Sequence, residues 1–596
     1  MSSLFGVFSR TDEPAVLSLE VQARMQPKEV EIMNRFVVLV RLFFLRFFSN
    51  EITAEKEQDG TRIVQVLSAL ALPGLVFALQ LTPSYLIFPP NTMPRGFWPR
   101  ISDHYFCVMF SMVVVGATTV FEWDMLFPDL LDVLILTPLP ILNRKLFAAK
   151  ITALGVFLGQ FLLAGNVFAG VMLPLIADEP SFLRHLMAHG IAVSLSGLFA
   201  AAFFVALQGI LLNLVGEHMV RALSPVLQGV SLAILLIVLF LFPVLSHDLR
   251  PLLLSNNSAV QWFPPFWFLG IYECLLRGTA ALAVFHALAF TGCWTTLLVV
   301  GLAVITYPLA YRRKTRRIIE GNATKHNRNR LAEAKDALLH ALLRRPEQRA
   351  VYHFIGHTLK RVPRHRVYLS LYGGFGLALL LAVTVNFKVE QGHIHLVFSE
   401  PGLLAATPLA AFWIVLGMKA AFMSPVSLRA NWIFHTIGGH FHADRVTATQ
   451  HWTVLRAAVL TVCISLIACM LSPTSWRDMH HVIAQILVAE ALSLLLVDGL
   501  FLQWLSVPFT APLTYSKRNL AFLVPVFLLL FPLYIEKTVQ WGIWIERSLM
   551  HFVAALALVL VMHAALLYFQ QRLIREHAGW PVLDEEEEFP RRLGLL

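Results

Sequence analysis

Two carboxylates stand inside an otherwise apolar stretch, Glu490 and Asp498 in LVAEALSLLLVDGLFLQWL. A spacing of eight on a helix of 3.6 residues per turn puts them about 80° apart, loosely on one face. A carboxylate at membrane depth is costly and marks a proton or ion path, or a polar cavity. Gln160, Asn166, Gln208 and Asn213 are polar but uncharged and also lie in apolar runs. They are expected to bridge helices by hydrogen bonds worth about 0.6 kcal/mol each, with a substrate-lining role as the alternative. The chain has 22 histidines, several of them paired: His393 with His395, His440 with His442, and His480 with His481. Zinc needs three or four converging ligands, so these pairs read as interfacial histidines and no metal site is expected. The five cysteines form no CxxC and read as small buried hydrophobes. No HExxH or GxSxG pattern occurs, so no catalytic residue is expected in this chain.

The segment 121–150, FEWDMLFPDLLDVLILTPLPILNRKLFAAK, has the most character. Glu122 and Asp124 end an apolar run, Asp129 and Asp132 follow, and an apolar patch covers 133–136. Pro138 and Pro140 stop a helix there, because proline lacks the N–H donor and clashes with the preceding turn. Arg144 and Lys145 then open the next apolar run. This spacing predicts short helices at the inner membrane surface with the acidic residues facing water.

The elements that position these residues follow from composition. The chain of 596 residues is 57 % hydrophobic and only 14 % charged. That is too little charge to cover a water-soluble surface of this size, where a quarter is usual. Apolar runs long enough to cross a bilayer core of about 30 Å lie near 63–84, 104–121, 147–175, 184–214, 223–246 and 281–310. Six more lie near 367–387, 402–422, 453–472, 481–503, 518–536 and 547–569. The predicted fold is an all-α integral membrane protein of about twelve transmembrane helices. Residues 1–62 read as a cytoplasmic tail, not a secretory signal, ending in an interfacial helix over 36–48 whose Arg41 and Arg46 reach toward headgroups. Residues 63–310 form a first membrane half, 311–366 a basic cytoplasmic linker, 367–569 a second half, and 570–596 a cytoplasmic tail. Within the linker, Leu331, Ala334, Leu338 and Leu342 make a helical stripe. Gly155 and Gly159 suggest close helix packing. The aromatic stretch Trp262 to Phe268, around Pro264 and Pro265, reads as a re-entrant or interfacial segment between spans.

Most of the 47 Lys and Arg fall on one side of this layout, led by the block from Arg312 to Arg366, so that side is expected to be cytoplasmic, with both termini. The net charge of +10 then points to anionic membrane lipid and not to nucleic acid. The halves repeat at an offset of roughly 300 residues, each with an interfacial segment before its first span and a long cytoplasmic segment (122–146 and 423–452) between its second and third. Six spans per half keep both halves in one orientation, a parallel repeat of the kind transporters use.

With that layout, Asp132 through Pro138 and the following Arg144, Lys145 and Lys150 resemble the membrane subunits of type-2 ABC exporters. Those proteins have six spans per half, an interfacial helix before the first, and an acidic segment followed by L-x-x-x-P between the second and third. The resemblance covers about residues 30–310. It implies that this segment, with Asp129, Asp132, Pro138, Pro140, Arg144 and Lys145, contacts a separate ATPase subunit that holds ATP and Mg. The second half, MSPVSLRANWIFHTIGGHFHADR (423–445), keeps Pro425, Arg429 and Arg445 but lacks the acidic lead. No G-x-x-x-x-G-K-[ST] phosphate loop occurs and no soluble stretch is long enough for a nucleotide-binding domain. The expected function is therefore the permease of an ATP-driven exporter in the cell (inner) membrane, for an amphipathic or lipid-like substrate. The alternatives are a proton- or ion-coupled transporter built on Glu490 and Asp498, and a membrane enzyme or scaffold suggested by the histidine pairs. In this orientation a reporter active only outside the cytoplasm is expected to be inactive when fused after His340 and active when fused after Ser255. The opposite pattern would invert the topology.

Overall fold

A peptide group in lipid has no water to bond to, so apolar stretches of this length close their hydrogen bonds within helices. The computed structural model of the chain describes residues 35–48, 59–86, 95–123, 125–127, 143–176, 181–215, 217–247, 249–254, 258–320, 345–390, 393–424, 442–472, 479–502, 504, 507–509 and 520–577. Among these described residues, eleven helices are long and apolar enough to cross a membrane. Two compact units make up the chain: Met1–Thr324 with Phe387–Leu396, and Lys325–Asn386 with Val397–Leu596.

In the first unit α1 (Arg35–Phe48) precedes α2 (Asp59–Leu86), α3 (Phe97–Phe121), α4 (Asn143–Ile176), α5 (Phe182–Leu214) and α6 (Glu217–Phe240). The short helices α7 (Phe242–His247), α8 (Leu249–Leu254) and α9 (Ser258–Trp262) lead to α10 (Pro264–Arg277), and α11 (Ala283–Glu320) follows. The core forms around α3, whose most apolar stretch is 83 % buried. Phe43 and Phe47, one turn apart on α1, are buried, and the Phe47 ring stacks on Phe157 of α4 at 5.1 Å. Large side chains such as Leu163, Phe290 and Trp294 stay exposed. In water that surface would cost about 25 cal/mol per Å²; lipid removes the cost.

The second unit runs α12 (Pro346–Arg361), α13 (Pro363–Thr384), α14 (Glu400–Met423), α15 (His442–Leu471), α16 (Met479–Leu500), α17 (Leu520–Glu546) and α18 (Leu549–His577). Proline disfavours the α region for the residue before it. Val362, ahead of Pro363, is accordingly extended (φ −95°, ψ 110°) and separates α12 from α13. Here α14 is the inner helix, with 67 % of its most apolar stretch buried, whereas that of α18 is 11 % buried. Phe509 has φ 68°, a strained conformation for a bulky residue. Its N–H donates to the Phe422 carbonyl at 2.9 Å and its buried ring packs on Phe422 and His365.

Several expectations change. Between α13 and α14 lies a two-stranded sheet, β1 (Val385–Glu390) and β2 (His393–Phe398), where only helices were expected. VNFKVE alternates with period two, the pattern of a strand, and HIHLVF does so over its first four residues. Helices also outrun the hydropathy: α3 starts at Phe97 and not at 104, α15 at His442 and not at 453, and α11 reaches Glu320. Hydropathy reports where lipid is tolerated, whereas polar residues continue a helix wherever they find partners. Thus Asp103 on α3 pairs with Arg95, and Asp444 on α15 with Arg345 and Gln348. The linker stripe from Leu331 to Leu342 lies outside the described residues. Finally, Gly155 and Gly159 face open space, and the close approach is elsewhere: a Cβ on Gly74 of α2 would stand 2.7 Å from the Gly165 carbonyl oxygen of α4. Gly74→Val is therefore expected to cost about 1–3 kcal/mol through overpacking, read as a lower thermal midpoint. Gly155→Ala should leave the midpoint unchanged or slightly higher, since alanine is the better helix former.

Candidate functional site

The loop that follows α3 is tied to its unit by its backbone. Trp123, Leu126 and Phe127 are buried. Each of their carbonyls accepts a hydrogen bond from a different helix: Trp123 from the Gln208 amide of α5 at 2.7 Å, Leu126 from the Tyr307 hydroxyl of α11, and Phe127 from the Lys150 ammonium of α4 at 3.0 Å. Lys150 is 4 % exposed and also lies 5.6 Å over the Phe43 ring of α1. A lysine this deep is tolerable only with such partners. Asp129, Asp132, Pro138 and Pro140 lie outside the described residues, while Arg144 and Lys145 sit exposed in the first turn of α4. The described part of this segment is thus a rigid root, with two basic side chains presented at its far end.

At the opposite ends of α3 and α5, α10 brings a carboxylate into the core. Pro264 and Pro265 start α10, and Gly278, at φ 61°, stops it directly after Arg277. The left-handed φ is open to glycine and costly for other residues. Arg184 of α5 caps this end by donating to the Leu275 carbonyl at 3.0 Å. Glu273 is thereby held fully buried, with Arg277 one turn later donating to its Oε2 at 2.7 Å and the His104 Nδ1 of α3 at 2.6 Å from its Oε1. Burial pushes the Glu273 carboxyl up. The His104 hydrogen bond and charge, with Arg277, outweigh this and hold it below its ordinary value of 4.5. An ionised carboxylate only accepts, so His104 Nδ1 carries the proton. The His104 ring stacks on Tyr272 at 4.2 Å, and the Tyr272 hydroxyl lies between His185 Nε2 at 3.1 Å and His189 Nδ1 at 3.4 Å. Beside this cluster, Asp103 accepts from Arg95 at 2.6 and 2.7 Å and from the Tyr85 hydroxyl at 2.9 Å. The Glu273 and Asp103 contacts are charge-assisted, and with the Tyr272 contacts to His185 and His189 they can hold protons at defined atoms and lock α10 against α3 and α5.

In the second unit the two carboxylates separate. Asp498 is 3 % exposed and its Oδ2 lies 2.5 Å from His563 Nδ1 of α18, whereas Glu490 is exposed on another face of α16. The loose common face expected from their spacing is therefore not a common site, because 80° of helix rotation is enough to turn one side chain inward and the other out. Of the uncharged residues, Gln208 makes the bridge described above. Asn213 links α5 to α11 by donating to the Thr306 carbonyl at 3.0 Å. Asn166 instead bonds within its own helix, to Leu162 at 2.9 Å, and Gln160 is half-buried with no partner for Oε1 among the described residues.

Among the described residues no three His, Cys, Asp or Glu are placed to hold a metal ion. The His104, His185, His189 and Glu273 cluster was not singled out from sequence, although it left traces there. His185 and His189 are one turn apart on one helix face, and Glu273 and Arg277 form an i, i+4 pair inside an aromatic stretch. The sequence matches no protein-family model, no curated protein and no solved structure.

Removing one partner from a buried ion pair leaves an uncompensated charge, so Glu273→Ala is expected to cost about 3–5 kcal/mol of stability. Because the folded carboxyl titrates below its ordinary value, its contribution is complete above about pH 4.5 and is lost as pH falls further. The thermal midpoint of the wild type should fall across that range and that of Glu273→Gln should fall less. Coincident pH profiles would show that Glu273 is not held ionised.

Proposed function

We propose that this chain is the membrane-spanning permease of an ATP-driven exporter, working with a separate ATPase subunit that holds ATP and Mg. The observation that carries this reading is the root at Trp123–Phe127, where three carbonyls bond to α4, α5 and α11. A partner that displaces residues 128–142 would pull on three spans at once, which is what coupling hydrolysis to a conformational change requires. Arg144 and Lys145 give such a partner a basic contact. The order of elements supports the same reading: α1 and then six long helices, α12 and then six long helices, which we take as twelve spans in a parallel repeat. We orient the Trp123 end and both termini toward the cytoplasm of a cell (inner) membrane, a placement supported by the basic run from Arg312 on α11. The substrate of this reading is amphipathic or lipid-like, moved outward. The pairing of buried Asp498 with half-buried His563 favours a second reading, a proton-coupled transporter.

Mild-detergent purification from the native membrane is expected to yield a stoichiometric ATPase chain with vanadate-sensitive hydrolysis. Gln208→Leu removes a hydrogen bond worth about 1 kcal/mol and should lower stimulated hydrolysis about fivefold, the rate equivalent of that energy, with unchanged membrane insertion. A chain that purifies alone, and whose transport collapses with a protonophore but survives ATP depletion, would replace this reading with the second.

A further inference from the structure

One end of the second unit holds a cavity of about 220 Å³ whose polar wall comes from four helices: Glu400 and Thr407 of α14, Ser465 of α15, His481 and Gln485 of α16, and Glu546 at the end of α17. The floor is built from buried polar groups. Thr407 and Ser465 are each 1 % exposed and their hydroxyls lie 3.2 Å apart, while the Thr407 hydroxyl is 3.4 Å from Gln485 Oε1. Gln485 in turn donates to Glu546 Oε1 at 3.3 Å, and His481 Nδ1 lies 2.9 Å from the same oxygen. Both contacts fall on Oε1, so among the described residues Oε2 retains its accepting capacity.

The chemistry of the wall selects a class of ligand. Its two carboxylates outnumber its one imidazole, His481, which already pairs with Glu546, and no Lys or Arg among the described residues lines it, so the remaining carboxylate excess favours a cation. A bare metal ion does not fit, because no three His, Cys, Asp or Glu among the described residues converge. Neither does a quaternary ammonium, whose recognition uses the faces of Trp, Tyr or Phe, since none of these among the described residues lines the cavity. What the wall offers is acceptors for N–H donors: hydroxyls, an amide oxygen and carboxylates. A primary ammonium carries three such donors, and its bonds to carboxylate are the strong, charge-assisted kind. The cavity also lies where four apolar helices start or end, the depth at which lipid headgroups sit.

We infer that this cavity binds a primary ammonium group, the chemistry shared by an aminophospholipid headgroup and a free alkylamine. The inference stands independently of the exporter reading, since it concerns binding and not transport. It is tested on the full chain by thermal midpoint, with ethanolamine and choline as soluble probes, and in phosphatidylcholine nanodiscs with and without phosphatidylethanolamine. Ethanolamine, the aminolipid or both should raise the midpoint, and choline should not. A response to free ethanolamine identifies a soluble amine as a sufficient ligand, and one to the aminolipid alone identifies the headgroup. Glu546→Gln should weaken the response at least tenfold. Glu400→Gln at the exposed rim and the near-isosteric Thr407→Val give the same test without depending on the Glu546 pair for folding. A choline response equal to that of ethanolamine, no response to either amine source, or folded variants that respond like the wild type would each overturn the inference.

Discussion

Lipid offers no hydrogen bonds, so the polar groups this chain carries into the apolar region draw their partners from the chain itself. For the backbone the answer is the helix. For hydroxyls it is the same helix again: Thr118, Thr119, Thr296 and Thr453 each donate to the carbonyl four residues earlier, at 2.7–2.8 Å. These threonines are polar in composition but make no demand on their neighbours. Amides and charged groups cannot all close on themselves in this way, and their partners decide how the helices are joined.

The joints that result are of two kinds. Gln208, Tyr307 and Lys150 donate to carbonyls of a non-helical segment, where backbone acceptors are unused by the helix. They turn the loop after α3 into part of the bundle wall, so the start of that loop moves only with the helices that hold it. Glu273, by contrast, is a full charge placed in the core by a helix too short to cross a membrane. It requires both His104 and Arg277. Such a pair is a poor source of net stability, because desolvation offsets most of the attraction, but it is specific: α10 docks where both partners meet the carboxylate. Asp498 with His563 follows the same rule in the second unit.

Close packing supplies the remaining constraint. Where α2 crosses α4, the backbone at Gly74 approaches the Gly165 carbonyl too closely for any side chain. Outward-facing positions carry large apolar residues with little restriction on shape, as on α18, where Leu549, Met550 and Val561 are all well exposed. The two faces of a helix thus read differently: one is specified by volume and hydrogen bonds, the other only by hydropathy.

That difference explains what was legible. The run of apolar residues by itself determined that the chain is a helical, multi-pass membrane protein, and it located the long helices, because hydropathy over twenty residues is a local property. The alternation at Val385–Glu390 and the i, i+4 pairs His185–His189 and Glu273–Arg277 were also written locally. Partnership was not. Only the tertiary structure decided that Asp498 turns inward to His563 while Glu490 turns out, that Gly74 and not Gly155 marks the close crossing, and that His104 meets Glu273 across 169 positions of sequence. The physical reason is that a hydrogen bond or a steric contact depends on the rotation of two helices about their axes, and that rotation is fixed by the packing of the whole bundle, whereas the choice of helix over water is fixed within each segment alone.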